Sequence, residues 1–162
     1  MRQNPVEADE FRAACGRFAT GVAIASVTDG AGVPHGLTIS SFTSVSLEPP
    51  LILICVGHLV TSIDVFRAAS HFGISVLHEG QRDIAQMFAR KGEDRFDGLK
   101  WRPGVTGAPL LDGALAEMEL QVVRRIPAGD HDIFIGEMVR GAVREGNPLI
   151  YFASRYESLA GR

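Results

Sequence analysis

The chain has 162 residues, 46% of them apolar and 22% charged, which suits one ordinary domain with a full core and excludes a disordered chain. Its formal charge of −3, spread without runs of either sign, excludes the basic footprint of a nucleic-acid binder. No apolar stretch approaches the roughly 20 residues that span a bilayer, and the start carries no apolar signal core, so a cytoplasmic protein is expected.

Taken in order, residues 6–18 place Phe11, Ala14, Cys15 and Phe18 at i, i+3, i+4 and i+7, one apolar helical stripe. Asn4 and Pro5 supply a cap and a first-turn proline. Residues 21–28 read as a short strand, Asp29-Gly30-Ala31-Gly32 as a hairpin turn, and 33–37 as the return strand. Next comes a hydroxyl cluster, Thr38, Ser40, Ser41, Thr43, Ser44 and Ser46, then a Pro49-Pro50 corner and the apolar run Leu51 to Val56, a buried strand. Thr61 or Ser62 caps a short helix through Ala69, and 71–78 is a strand with Phe72, Ile74 and Val76 on one face. A helix over 81–90 turns Ile84, Met87 and Phe88 inward.

Residues 91–112, rich in Gly, Pro and charge, read as one long loop. Ala116, Met118, Leu120 and Val122 alternate with Glu117, Glu119 and Gln121, a half-buried strand whose glutamates face water. Strands over 132–143 and 148–152 complete the chain. About seven strands and three helices without regular βαβ alternation point to a mainly β protein, an antiparallel barrel with peripheral helices, in a single domain over 1–162. The two cysteines, Cys15 and Cys55, lack disulfide or metal spacing and are expected in the core of a protein of a reducing compartment.

The chain contains no P-loop, no HExxH and no GxSxG. Gly30-Ala31-Gly32 opens like a dinucleotide fingerprint, but His35 stands at the third glycine. His71 and His78, seven apart on one strand, fall on opposite faces, and His35 and His58 lie in expected turns, so no metal site is expected. His131, in Gly129-Asp130-His131-Asp132 at the mouth of the longest strand, is placed to touch a ligand, although a turn histidine held by its aspartates is the plainer reading. Thr61-Ser62 offers hydroxyls to a phosphate, or a simple helix cap. Six hydroxyls in nine residues beside a buried strand suit a flat, polar-edged heterocycle, or simple backbone satisfaction.

In this order the segments Phe18 to Val22, Gly36 to Val56, Phe72 to Leu77, Ile84 to Phe88, Arg95 to Gly98, Gly129-Asp130-His131 and Pro148 to Phe152 resemble the flavin reductase-like, FMN-binding split-barrel family. The likeness runs from Phe11 to Leu159 and is nearest to the small reductase component of two-component flavin-dependent monooxygenases. It implies a six-stranded antiparallel Greek-key barrel that forms a homodimer, and hydride transfer from a nicotinamide to FMN or FAD for a partner oxygenase. It also implies that Thr38, Ile39, Ser40 and Ser41 line the flavin ring and that Cys55 and Val56 lie under it. Thr61 and Ser62 would meet the phosphate and Phe88 would close the pocket. His131, Tyr151 and Tyr156 would stand on the nicotinamide side. The family often carries Ala where Ile39 stands and Asn where Ser40 stands. With no arginine cluster for a 2′-phosphate, NADH is favoured over NADPH. A non-catalytic flavin carrier on the same barrel is the alternative, ahead of a flavin-free interaction domain, while a pyridoxamine-phosphate oxidase relative fits the motifs less well.

Overall fold

A computed structural model describes residues 6–90, 92 and 95–159. Its elements in chain order are α1 (Ala8–Cys15), β1 (Thr20–Gly21), β2 (Ala23–Thr28), β3 (Pro34–Ile39), β4 (Thr43–Leu47), β5 (Pro50–Gly57), α2 (Ile63–Ala68) and β6 (His71–Val76). A 3₁₀ turn (Glu79–Gln81) leads into α3 (Arg82–Ala89), followed by β7 (Trp101–Pro103), β8 (Pro109–Leu111), β9 (Ala116–Ala128), β10 (His131–Val143), β11 (Ile150–Phe152) and β12 (Arg155–Glu157). The core is one seven-stranded antiparallel sheet in the order β3-β2-β6-β9-β10-β5-β4. It curls around a single cluster that takes Ala25 and Val27 from β2, Ile39 from β3, Ile54 and Val56 from β5, Phe72 from β6, Leu120 from β9 and Phe134 from β10. Helix α2 adds Phe66, which meets Phe134 edge-on with centroids 6.1 Å apart. The mainly β barrel class is as expected, with seven strands in its sheet where six were implied.

The sheet does not close on itself, because β3 and β4 end it on either side. Asp29 N–H donates to Val33 O, so Val33 forms a hydrogen-bonded pair across the hairpin, and the alternation of an antiparallel ladder turns Gly36 and Thr38 outward. Two observations agree with that phase. Pro34, which has no N–H, occupies an outward position, and Gly36 O accepts from Arg95 rather than from β2. A second cluster, with Ile24, Leu77, Ala85, Phe88, Phe96 and Leu111, packs α3 and the 95–111 segment over the outside of the sheet.

Several expectations are corrected. Residues 91–112 are not one loop: β7 and β8 form a hairpin, and Phe96, Leu110 and Leu111 are buried. Three-residue strands flanked by Pro103 and Pro109 carry no legible period. The Thr43–Leu47 part of the hydroxyl cluster is an edge strand, largely exposed. Strand β9 runs on to Ala128, paired with β10 as far as His131, and Val123 is an extra residue that breaks the alternation by which the extension would be read. Helix α1 buries none of its residues, and Cys15 is exposed. Asn4 and Pro5 lie outside the described residues.

Glu117 and Glu119 do not face water; they are 2% and 3% exposed. Glu117 pairs with Arg144 at 2.6 Å and with Arg102, and Glu119 accepts from Thr106 N–H and Oγ1, both at 2.7 Å, and from Val105 N–H. Burial alone would raise the Glu117 carboxyl, but the hydrogen bonds from Arg144 and Arg102 outweigh it and hold it below the ordinary value. A carboxyl depressed in the folded state adds stability above its unfolded value near pH 4.3 and loses it as the pH falls through the folded value. Glu117→Gln is therefore expected to cost about 2–3 kcal/mol at pH 7, and much less near pH 3. Thermal unfolding of both proteins at the two pH values checks this; a gap that does not narrow in acid contradicts it.

Candidate functional site

The outward side of β3 is the floor of a groove made of three adjoining cavities. The first, about 200 Å³, is lined by Thr38, Ile39 and Ser40 together with Val22, Tyr151 and Tyr156. The second, about 370 Å³, shares Thr38 and Ala89 with it and adds Leu37, Thr61, Phe88, Arg95 and His131. The third, about 220 Å³, shares Thr61 and Arg95 with the second and lies against the beginning of β3, from Pro34 to Gly36. At about 3.3–3.4 Å per residue, the stretch from His35 to Ser40 covers roughly 17 Å of groove.

Helix α3 walls the groove. Thr38 Oγ1 donates to Ala85 O at 2.6 Å, which ties the helix to the strand. Phe88 is 1% exposed, and a Cβ at Gly36 would come within 2.8 Å of its ring, so only glycine lets the aromatic ring close on the strand there. At the far end the Tyr151 and Tyr156 rings lie 5.3 Å apart, and the Arg82 guanidinium sits over the Tyr156 ring at 5.8 Å.

His131 is the first residue of β10, opposite Gly57 of β5. It follows a two-residue hairpin in which Gly129 takes the positive φ of 64°. Its side chain is about half exposed at the groove mouth, and its Nδ1 lies 2.7 Å from Asp130 Oδ1. That hydrogen bond and the imidazole charge lower the Asp130 carboxyl. Asp132 does not join Asp130 in holding His131. It turns to the other face, where it is 6% exposed and pairs with His58 Nε2 at 2.9 Å and Arg67 Nε at 2.7 Å. The Arg67 bond and the His58 bond lower its carboxyl. His58 N–H also donates to Asp130 O. One buried carboxylate thus fastens the 57–62 segment to the His131 hairpin. His58 is not the free turn histidine the sequence suggests, and His35 lies within β3, bonded to Asp29 at 3.1 Å.

Thr61 and Ser62 stand where the second and third cavities meet. Ser62 precedes α2, yet its side chain makes no cap hydrogen bond. The residue is 6% exposed, and its Oγ has no partner among the described residues. The expectation of an ordinary cap fails, and what remains is a buried hydroxyl at the wall of a cavity. Other implied positions point elsewhere. Ser41 Oγ accepts from Cys55 N at 3.0 Å and donates to Cys55 O at 3.1 Å, so it staples β5 rather than facing the groove. Cys55 is half-buried, with its thiol raised by burial. Val56 is fully buried in the barrel core, and neither it nor Cys55 lines the three cavities. Arg95 lines both the second and third cavities, with its Nε buried. No signal in the sequence singles out Asp132.

Residues 15–160 match the model of the flavin reductase like domain. The chain belongs to that family. It is 45% identical over 150 residues to the actinorhodin polyketide dimerase of Streptomyces coelicolor, covering 92% of this chain and 85% of that one. It is 40% identical over 141 residues to the FMN reductase (NADH) of Agrobacterium fabrum, covering 87% and 80%. Among solved structures, the NADH:FAD oxidoreductase of Streptomyces globisporus superposes with a TM-score of 0.90 at 37% identity, over 98% of this chain and 96% of that one. The unclosed barrel with α3 over its open edge is thus shared at the level of the whole fold.

Proposed function

We propose that this family member is an NADH-dependent flavin reductase that passes a hydride from the nicotinamide to FMN or FAD and supplies the reduced flavin to a partner oxygenase. The observation that carries the proposal is the groove of adjoining cavities along the outward side of β3, with His131 at its mouth and the buried Ser62 hydroxyl in the wall of its third cavity. The flavin, when bound, supplies the electron-transfer chemistry. The chain supplies position and donors. The outward N–H of Thr38, and that of Ser40 if the alternation continues past β3, would hold the polar edge of the flavin and stabilise the charge that its reduction develops. Small side chains there would let the backbone come close. Phe88 backs the groove, while Thr61, Ser62 and Arg95 would hold the phosphate.

His131 acts as a positioning residue for the nicotinamide. Its imidazole is set by Asp130, and its hairpin is held by the Asp132–His58–Arg67 cluster. No acid–base step is needed beyond solvent exchange at the groove mouth. A reducing compartment such as the cytoplasm suits both the reductant and the two free thiols. A single flavin reductase-like domain makes up residues 1–162.

The chain further acts as a homodimer. Helix α1 buries no residue, and Phe11 on it and Phe18, three residues past its end, are 63% and 78% exposed. Leu47 at the open sheet edge is 84% exposed. Apolar side chains of this size, left uncovered among the described residues, call for a cover, and a second copy supplies it symmetrically.

Steady-state kinetics with FMN or FAD and with NADH or NADPH test the activity; NADH with at least one flavin should turn over, and failure of all four pairs contradicts the proposal. Flavin binding without turnover would instead favour a carrier. His131→Ala is expected to raise the NADH KM about tenfold or more with a smaller change in kcat, and an unchanged KM would remove it from the site. Sedimentation should give twice the chain mass of 17.4 kDa, and Phe18→Asp should shift the protein toward monomer; a monomeric parent protein contradicts the dimer.

A further inference from the structure

His131 and Ser62 stand on different segments of the chain. Backbone joins them through the β10–β5 ladder, where His131 faces Gly57, and then through the turn from Gly57 to Ser62. The imidazole lies close against that glycine, since a Cβ on Gly57 would come within 3.3 Å of its Nε2. Past His58, the turn carries the bonds Val60 N–H to Gly57 O and Ile63 N–H to Val60 O, each 3.1 Å long. Leu59 at its tip is exposed. A turn with so little buried contact does not by itself fix where Ser62 sits relative to His131.

Asp132 supplies a second connection. It follows His131 on β10, so its side chain takes the opposite face, where it is buried. It lines none of the three cavities. Its Oδ1 accepts from His58 Nε2 at 2.9 Å, at the start of the turn. Its Oδ2 accepts from Arg67 Nε at 2.7 Å, on α2, the helix that Ser62 precedes. The bonds from Arg67 and His58 hold the carboxyl below its ordinary value, so the ionised form is the acceptor in both. Ile63 and Phe66 seat the other side of α2 in the barrel core. The carboxylate therefore grips the chain before and after Thr61-Ser62, with two charge-assisted bonds that fix direction as well as distance.

We infer that Asp132 is a positioning residue for both ligands: it touches neither, and by holding His58 and Arg67 it sets the spacing between the nicotinamide histidine and the hydroxyls that meet the flavin phosphate. The inference rests on the flavin reductase reading and adds to it a residue outside the groove that governs both affinities, the nicotinamide through His131 and the flavin through Ser62.

The test is a pair of double-mutant cycles, read as NADH KM at saturating flavin and as flavin Kd from fluorescence titration without nicotinamide. Asp132→Asn keeps the side chain's size and removes its charge. It is expected to raise the NADH KM about fivefold and the flavin Kd about threefold, with kcat within about twofold of the parent. In a His131→Ala background the same change should leave the NADH KM as it is and still weaken flavin. In a Ser62→Ala background it should leave the flavin Kd as it is and still raise the NADH KM. Lost stability alone would act equally in every background. Arg67→Met, which alters no residue lining the groove and keeps the Asp132–His58 bond, should repeat the pattern in the same direction and carries the test if Asp132→Asn does not fold. Equal fold-changes in all backgrounds, or an unchanged KM and Kd in the single variants, would overturn the assignment while leaving the reductase intact. A parent protein that binds neither FMN nor FAD would overturn the flavin reading and the assignment with it.

Discussion

Among the described residues no strand pairs with the outer edge of β3, and the groove exists because of that. A barrel closed between β3 and β4 would use those N–H and C=O groups on itself. Here the ladder phase set at the Asp29–Val33 turn points Gly36 and Thr38 outward, and α3 covers the edge without pairing to it. An exposed edge is a liability in most sheets. In this chain it is partly capped by Arg95 on Gly36 and by Phe88 packed over the same glycine, and the remainder lines the groove.

Two buried carboxylate clusters keep the rest of the groove in place. Asp132 joins His58 and Arg67, so the strand carrying His131 and the segment carrying Thr61 and Ser62 move together. Glu117, with Arg102 and Arg144, ties the β7–β8 hairpin and the end of β10 to the middle of the sheet. That hairpin continues from the Arg95–Phe96 segment, whose Phe96 packs between Phe88 and Trp101. The positions of α3 and Arg95 therefore depend on charges well away from the groove. Buried ion pairs are weak contributors to net stability, but they define which segments meet.

Much of this was legible from local pattern. The run Leu51 to Val56 could only be a buried strand and the 81–90 period found α3, whereas Thr61-Ser62 and His131 stood out only through the family resemblance. The errors share a cause, which is that a local pattern cannot see a remote partner. Glu117 and Glu119 alternate like solvent-facing residues, and only arginines and N–H groups from distant segments make them buried ones. The hydroxyl cluster looked like one feature, but the fold splits it: Thr38 and Ser40 line the groove, Ser41 staples Cys55, and Thr43 to Ser46 form an edge. The helical stripe expected over 6–18 is cut short, since α1 ends at Cys15 before Phe18, and Cys15 is exposed rather than core because nothing among the described residues covers that face. The Val123 bulge erased the period that would have extended β9. Asp132 carried no signal at all, since a carboxylate beside His131 looks like its partner until the strand's alternation sends it to the opposite face.

The central claim is that flavin is held by the outward backbone of β3. Amide hydrogen exchange, resolved to single residues with and without FAD, tests it directly. The predicted result is selective slowing at Thr38 and Ser40, with Leu37 and Ile39, already bonded to β2, changing little. Protection that appears elsewhere while Thr38 and Ser40 exchange at the same rate in both states would contradict it.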